Sequence, residues 1–98
     1  MARLIWSPQA ASDLANICEF IAQDSPEYAR LTAQRILEVV ESIPALPRGG
    51  RIVPELGSPV IRERIVGDYR VIYRMRQQAV EIVTIIHGAR RLRFKNTS

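Results

Sequence analysis

Four arginines recur at even spacings within two short apolar segments: Arg62 and Arg64 in Val60–Val66, Arg70 and Arg74 in Tyr69–Met75. Arg90, Arg91 and Arg93 follow close to the C-terminus. A guanidinium is planar, offers five N–H donors and stays protonated with a pKa above about 12. These side chains can grip a phosphate or a carboxylate, and none can serve as a general base. Proton transfer near neutrality has one strong candidate, His87, the sole histidine, with Glu63 as a second group able to act as acid or base. One histidine and one cysteine exclude a metal site built from several such ligands, and Cys18 has no partner for an intrachain disulfide. The chemistry on offer is anion binding, with no metal or cofactor expected.

The elements that must position these groups fit one domain, because the chain has 98 residues. At 47% hydrophobic it is far from the composition of a disordered chain and can bury one modest core. No apolar run approaches the roughly 18 residues of a membrane span, and no signal-like segment opens the chain. A lone cysteine suits a reducing compartment, so a cytoplasmic location is expected. The charge is divided by position. Residues 1–46 hold three basic and six acidic side chains, a net of −3, while residues 47–98 hold eleven and four, a net of +7. Thirteen of the fourteen cations are arginines, so the C-terminal half is a cationic surface for an anionic partner.

Residues 2–6 are short and apolar enough for a strand. Ser7-Pro8 is an N-cap followed by proline in the first turn, and Leu14, Ile17, Cys18 and Ile21 then follow at helical spacing. Ser25-Pro26 repeats the signal and opens a second helix. Its apolar face comprises Ala29, Ala33, Ile36, Leu37, Val40 and Ile43, and Pro44 stops it. Only Asp24 and Ser25 separate the helices, which predicts an antiparallel hairpin. Residues 44–59 are rich in proline and glycine and read as a long loop. Beyond it, Val60–Val66, Tyr69–Met75 and Ala79–Ile86 alternate with period two and predict a three-stranded antiparallel meander. Residues 88–98 form a basic tail. The fold expected is α+β, with an N-terminal strand and a helix hairpin on a twisted, mainly antiparallel sheet.

Hairpin register decides where the arginines point. A two-residue Gly67-Asp68 turn pairs Val66 with Tyr69 and mixes Arg62 and Arg64 into the face of Val71 and Tyr73. A three-residue Val66-Gly67-Asp68 loop pairs Ile65 with Tyr69. It gathers Ile61, Ile65, Tyr69, Val71, Tyr73 and Met75 on one face, with Arg62, Arg64, Arg70 and Arg74 on the other. Because a one-residue slip exchanges whole faces, the more coherent three-residue register is expected. Glu63 and Glu81 are too few to neutralise the arginine face. Tyr69 and Tyr73 are expected in the core or half-buried, Cys18 in the core, and Trp6 at the strand–helix junction.

The order of elements resembles the RelE/ParE superfamily of small bacterial toxins, and the likeness spans nearly the whole chain. It is carried by Val60-Ile61-Arg62-Glu63, by Gly67-Asp68-Tyr69-Arg70-Val71-Ile72-Tyr73-Arg74, and by Ile86-His87-Gly88-Ala89-Arg90. The resemblance implies a toxin of a type II toxin–antitoxin pair that is wrapped and neutralised by a cognate antitoxin. One branch of the superfamily cleaves mRNA in the ribosomal A site; the ParE branch inhibits DNA gyrase. In the nuclease pattern the sheet arginine matches Arg70 and the arginine after the last strand matches Arg90. The basic residues of the neighbouring strand fall at or near Arg62 and Arg64. A nuclease site would therefore use Arg62, Arg64, Arg70, His87 and Arg90. The nuclease tyrosine near the C-terminus is missing, however, and Phe94 in the tail has no hydroxyl. The resemblance thus favours a ParE-like toxin that binds gyrase through Arg62, Arg64, Arg70, Arg74, Arg90, Arg91 and Arg93, over a ribosome-dependent endonuclease.

Overall fold

The computed structural model describes residues 2–92. Both helices begin where their caps stand. Ser7 Oγ accepts the Ala10 N–H at 3.0 Å and opens α1 (Pro8–Ala22); Ser25 Oγ accepts the Tyr28 N–H at 3.1 Å and opens α2 (Pro26–Ser42). Each cap satisfies an amide that the first turn leaves unpaired. A 3-10 turn at Ile43–Ala45 carries Pro44 and ends α2. The strands are β1 (Arg3–Trp6), β2 (Arg51–Ile52), β3 (Ile61–Val66), β4 (Tyr69–Arg76) and β5 (Ala79–His87). Their order in the sheet is β1-β5-β4-β3-β2, with β1 parallel to β5 and every other pair antiparallel. This is the α+β arrangement expected from the sequence.

The helix hairpin covers one face of the sheet. Ala10, Ile36, Val40 and Ile43 meet Val66, Val71, Tyr73, Val80, Ile82 and Ile85 in a single core. Each large aliphatic side chain withdrawn there contributes about 1.5–3 kcal/mol. The buried stripe of α2 is Ala29, Thr32, Ile36 and Val40. Leu37, expected on that stripe, is exposed; it lies one residue, or about 100° of helix, beyond Ile36 and turns away from the sheet. Cys18 is half-buried. The proline-rich stretch is more ordered than a loop. It holds a second 3-10 turn, Pro47–Gly49, and then β2 on the sheet edge.

The β3–β4 register differs from the one expected. Val66 pairs with Tyr69 across a two-residue Gly67-Asp68 turn, with Gly67 at φ +58°. Val66, Tyr69, Val71 and Tyr73 therefore share the helix-side face with Arg62 and Arg64, while Ile61, Glu63, Ile65, Ile72 and Arg74 lie with Arg70 on the other. Ile65 is exposed and Val66 buried, the reverse of the expectation. Arg62 tolerates the apolar side because its stem leads the head outward. Its Nε donates to Pro59 O at 2.8 Å and Nη1 to Gly50 O at 3.1 Å.

A bulge completes the sheet. Ile72 pairs with Thr84 and Tyr73 with Ile82, which leaves Val83 unpaired. That extra residue shifts the alternation by one, so Ile82 and Ile85, three apart, both face the core. Ser7 Oγ donates to the Val83 carbonyl at 2.8 Å. Beyond Ile82 the outer edge of β5 has no strand beside it, and Asp13 of α1 takes up the Ile85 N–H at 3.0 Å there.

Candidate functional site

The sheet face away from the helices is not an open field of arginines. Ile72 is fully buried on it, as is Val53 from the segment after β2, yet neither belongs to the core beneath the helices. Arg70 stands in this second buried layer at 5% exposure. Its Nε donates to Glu63 Oε1 at 2.7 Å. Its Nη1 and Nη2 donate to the two oxygens of Glu55, each at 2.8 Å, and Nη1 also donates to the Arg90 carbonyl at 3.1 Å. Four of the five donors of this guanidinium are thereby taken by its own chain. Glu63 is buried as well, and its second oxygen accepts from Arg51 Nε.

The electrostatics follow from this geometry. Hydrogen bonds from Arg70, then one from the Leu92 amide, hold the Glu55 carboxyl down to about 2 against an ordinary 4.5. The same partnership raises Arg70 above its already high range. Arg70 faces the carboxylates of both Glu55 and Glu63. The expectation of too few carboxylates omitted Glu55, the only acid between residues 47 and 62.

Arg74 pairs with Glu81 at 2.9 Å, and Arg76 shares the same carboxylate at 3.0 Å. Arg62 is occupied by the two loop carbonyls. Arg64 is half-buried and makes no ion pair among the described residues. Arg90 and Arg91 are exposed, and Arg93 lies outside the described residues, as does Phe94.

His87 is exposed at the end of β5, with its ring edge-on to Tyr69 at a centroid distance of 5.7 Å. The Ala89 N–H donates to its Nδ1 at 3.1 Å. Phe20, Tyr69, His87 and Arg90 bound a cleft of about 350 Å³ that Asp13 also lines. A larger groove of about 860 Å³ runs from the start of α1 to Arg90, Arg91 and Leu92. The arrangement can hold anions at an exposed basic strip beside an aromatic cleft. It brings Arg90 and His87 together and leaves Arg70 as a tie behind them.

Tyr73 is fully buried, and burial raises its hydroxyl above the usual phenol range. The hydroxyl donates to Pro47 O at 2.7 Å and accepts the Gly50 N–H at 3.0 Å, pinning the turn before β2. Gly50 is needed there, because a Cβ would collide with that hydroxyl and lie 2.7 Å from the Glu63 carbonyl oxygen.

The family model for the ParE toxin of type II toxin–antitoxin systems (parDE) matches residues 4–92. The chain belongs to the ParE toxin family. Toxin RelE2 of Caulobacter vibrioides is 34% identical to this toxin over 91 residues, covering 92% of this chain and 99% of the relative. Among solved structures, a chain of the chromosomal ParDE TA system from P. aeruginosa aligns with a TM-score of 0.74 and 24% identity, over 89% of this toxin and 96% of that chain. The YoeB dimer from Staphylococcus aureus aligns with a TM-score of 0.56 and 18% identity, over 85% and 92%. These last two likenesses are of fold.

Within this toxin the residues that sequence reasoning missed are Glu55, Arg51 and Asp13. Glu55 had one signal: an isolated acid in a proline-glycine stretch just before a basic strand. Asp13 had none, since an acid on the polar side of an amphipathic helix is ordinary. Among the described residues no helix is long and apolar enough to cross a membrane, and no group of three or more His, Cys, Asp or Glu is placed to hold a metal ion.

Proposed function

We propose that this ParE-family toxin acts by binding and inhibiting DNA gyrase, and that a cognate antitoxin neutralises it. The observation that carries the reading is the state of Arg70. The residue matching the phosphate-gripping arginine of the nuclease pattern is buried with four donors engaged, so it has no free fork to offer a scissile phosphate. His87 points the same way. Its Nδ1 is turned to its own backbone, where it accepts the Ala89 N–H. A 2′-hydroxyl cleavage needs a proton acceptor at the attacking oxygen. The target-binding surface we assign is built on Arg90, at the Phe20–Tyr69 cleft, and the exposed Arg91 beside it, and we assign Arg64 and Arg93 to target binding as well. Arg70 supports it from within through the Arg90 carbonyl, while Arg62 and Arg74 are engaged by Pro59, Gly50 and Glu81.

Purified toxin added to a supercoiling reaction is expected to inhibit gyrase, with Arg90→Ala/Arg91→Ala reducing inhibition. Unaffected supercoiling with toxin in large excess over gyrase overturns the proposal. A ribosome-dependent mRNA endonuclease is the second reading, favoured by the name of the Caulobacter relative and by the shared cleft of His87 and Arg90. Primer extension on transcripts from growth-arrested cells would then reveal A-site cuts that Arg90→Ala abolishes.

A further inference from the structure

We infer that Glu55 is the positioning residue of the basic C-terminal segment: with Arg70 it forms a clamp that holds residues 88–92 against the sheet and fixes where Arg90 and Arg91 project. This deepens the gyrase-binding reading and rests on it for its functional half.

The segment leaves β5 after His87 and has no regular structure of its own at Arg91 and Leu92. It is held at three backbone points. The Gly88 N–H donates to Asp68 O at 2.6 Å, at the β3–β4 turn. The Arg90 carbonyl accepts from Arg70 Nη1 at 3.1 Å, and the Leu92 N–H donates to Glu55 Oε2 at 2.8 Å. The second and third points come from one ion pair, since the Oε2 that receives Leu92 also receives Arg70 Nη1. Donor and acceptor of the clamp thus address the backbone carbonyl of residue 90 and the amide of residue 92, on either side of Arg91.

Two exposed arginines on a free strand end would sample many directions, and ordering them on a partner costs conformational entropy at the moment of binding. The clamp orders their backbone beforehand and leaves both heads in solvent. Glu55 is suited to the role because its other oxygen is locked to Arg70 Nη2, which fixes the carboxylate plane. It sits on a turn that is itself closed by Leu56 and Gly57 amides donating to Val53 O at 3.1 and 2.9 Å.

The test uses the full chain with Glu55→Gln, which keeps the shape and removes the charge, and Arg51→Ala as a matched control. Arg51 braces Glu63 from the solvent side and touches nothing in residues 88–92. Amide hydrogen exchange at Leu92 is expected to quicken tenfold or more in Glu55→Gln and to stay at the wild-type rate in Arg51→Ala. Gyrase inhibition by Glu55→Gln should weaken several-fold while Arg51→Ala inhibits as wild type. Equal Leu92 exchange in wild type and Glu55→Gln overturns the clamp, as does equal quickening in the control. If exchange separates the variants but wild-type protein leaves gyrase untouched, the clamp stands and the gyrase reading falls. If exchange separates them, wild type inhibits, and Glu55→Gln inhibits equally, the positioning role is overturned.

Discussion

Replacing Arg70 by alanine is expected to damage the fold before it damages any binding event. The side chain is 6% exposed and bonds Glu63, at 0%, and Glu55, at 14%. Removing it leaves Glu63 with Arg51 alone, and Arg51 sits 62% exposed at the far oxygen. Breaking a buried pair by deleting one partner costs about 3–5 kcal/mol, because the remaining charge is stranded. A domain of this size has roughly 5–15 kcal/mol in total. The expected loss of about 3–5 kcal/mol therefore lowers Tm by more than 10 °C, at about 4–8 °C per kcal/mol for a domain of 60–100 residues. Urea unfolding followed by circular dichroism reads the loss directly. Arg70→Lys should lie between, since an ammonium keeps the charge but cannot engage both carboxylates with a planar fork. Arg70→Met with Glu63→Leu should recover only the part of the loss that Glu63 causes, because Glu55, 14% exposed, still loses its partner. An Arg70→Ala protein within about 1 kcal/mol of wild type would refute the view of Arg70 as an internal tie and return it to the candidate phosphate-binding groups.

Three further outcomes are expected from the contacts around Tyr73, Glu55 and Gln78. Tyr73→Phe leaves the Gly50 N–H and the Pro47 carbonyl without their buried partner and should cost about 1–3 kcal/mol in urea unfolding; an unchanged midpoint would count against the pinned turn. Glu55 binds its proton near pH 2 when folded and near 4.5 when unfolded, so its contribution is complete above about pH 4.5 and is lost as pH falls towards 2. Unfolding midpoints at pH 5, 3.5 and 2.5 should fall more steeply for wild type than for Glu55→Gln, and parallel slopes would contradict the assignment. Gln78 holds φ +57° in the β4–β5 turn, a conformation that costs an L side chain about 1–2 kcal/mol, so Gln78→Gly should raise the midpoint modestly.

The elements were legible wherever a single local rule decided them. Ser7-Pro8 and Ser25-Pro26 announce both helix starts, and Pro44 announces the stop, because capping and proline sterics act within a few residues. The three long strands were legible from period two. What was not legible depended on partners distant in sequence. The choice between Ile65 and Val66 as the buried residue turns on Glu63, which gains Arg51 and Arg70 only in the observed register. Local alternation favours Ile65 and knows nothing of that ion pair. The bulge at Val83 was equally hidden, since period two predicts one unbroken strand over Ala79–Ile86 and nothing in Ile82-Val83-Thr84-Ile85-Ile86 marks an extra residue. The arginines were read as seeking an anionic partner, and three carboxylates that engage them, Glu55, Glu63 and Glu81, are in the same chain. Glu55 reaches Arg70 across fifteen positions and Leu92 across thirty-seven, distances at which a sequence offers composition and no geometry.

The parallel pairing of β1 with β5 bears on the order in which the molecule can be made. Arg3 lies beside Ala79, and Ser7 grips the Val83 carbonyl 76 positions further along the chain. At about 5–20 residues per second, synthesis separates the two partners by roughly 4–15 s. During that interval the helix hairpin is complete while the sheet that covers its apolar stripe is not, and β1 has no neighbour. A chain interrupted before Ala79 lacks β5, the strand with which β1 pairs, and the segment that carries Arg90 and Arg91. β1 thus gains its partner only once β5 has been made.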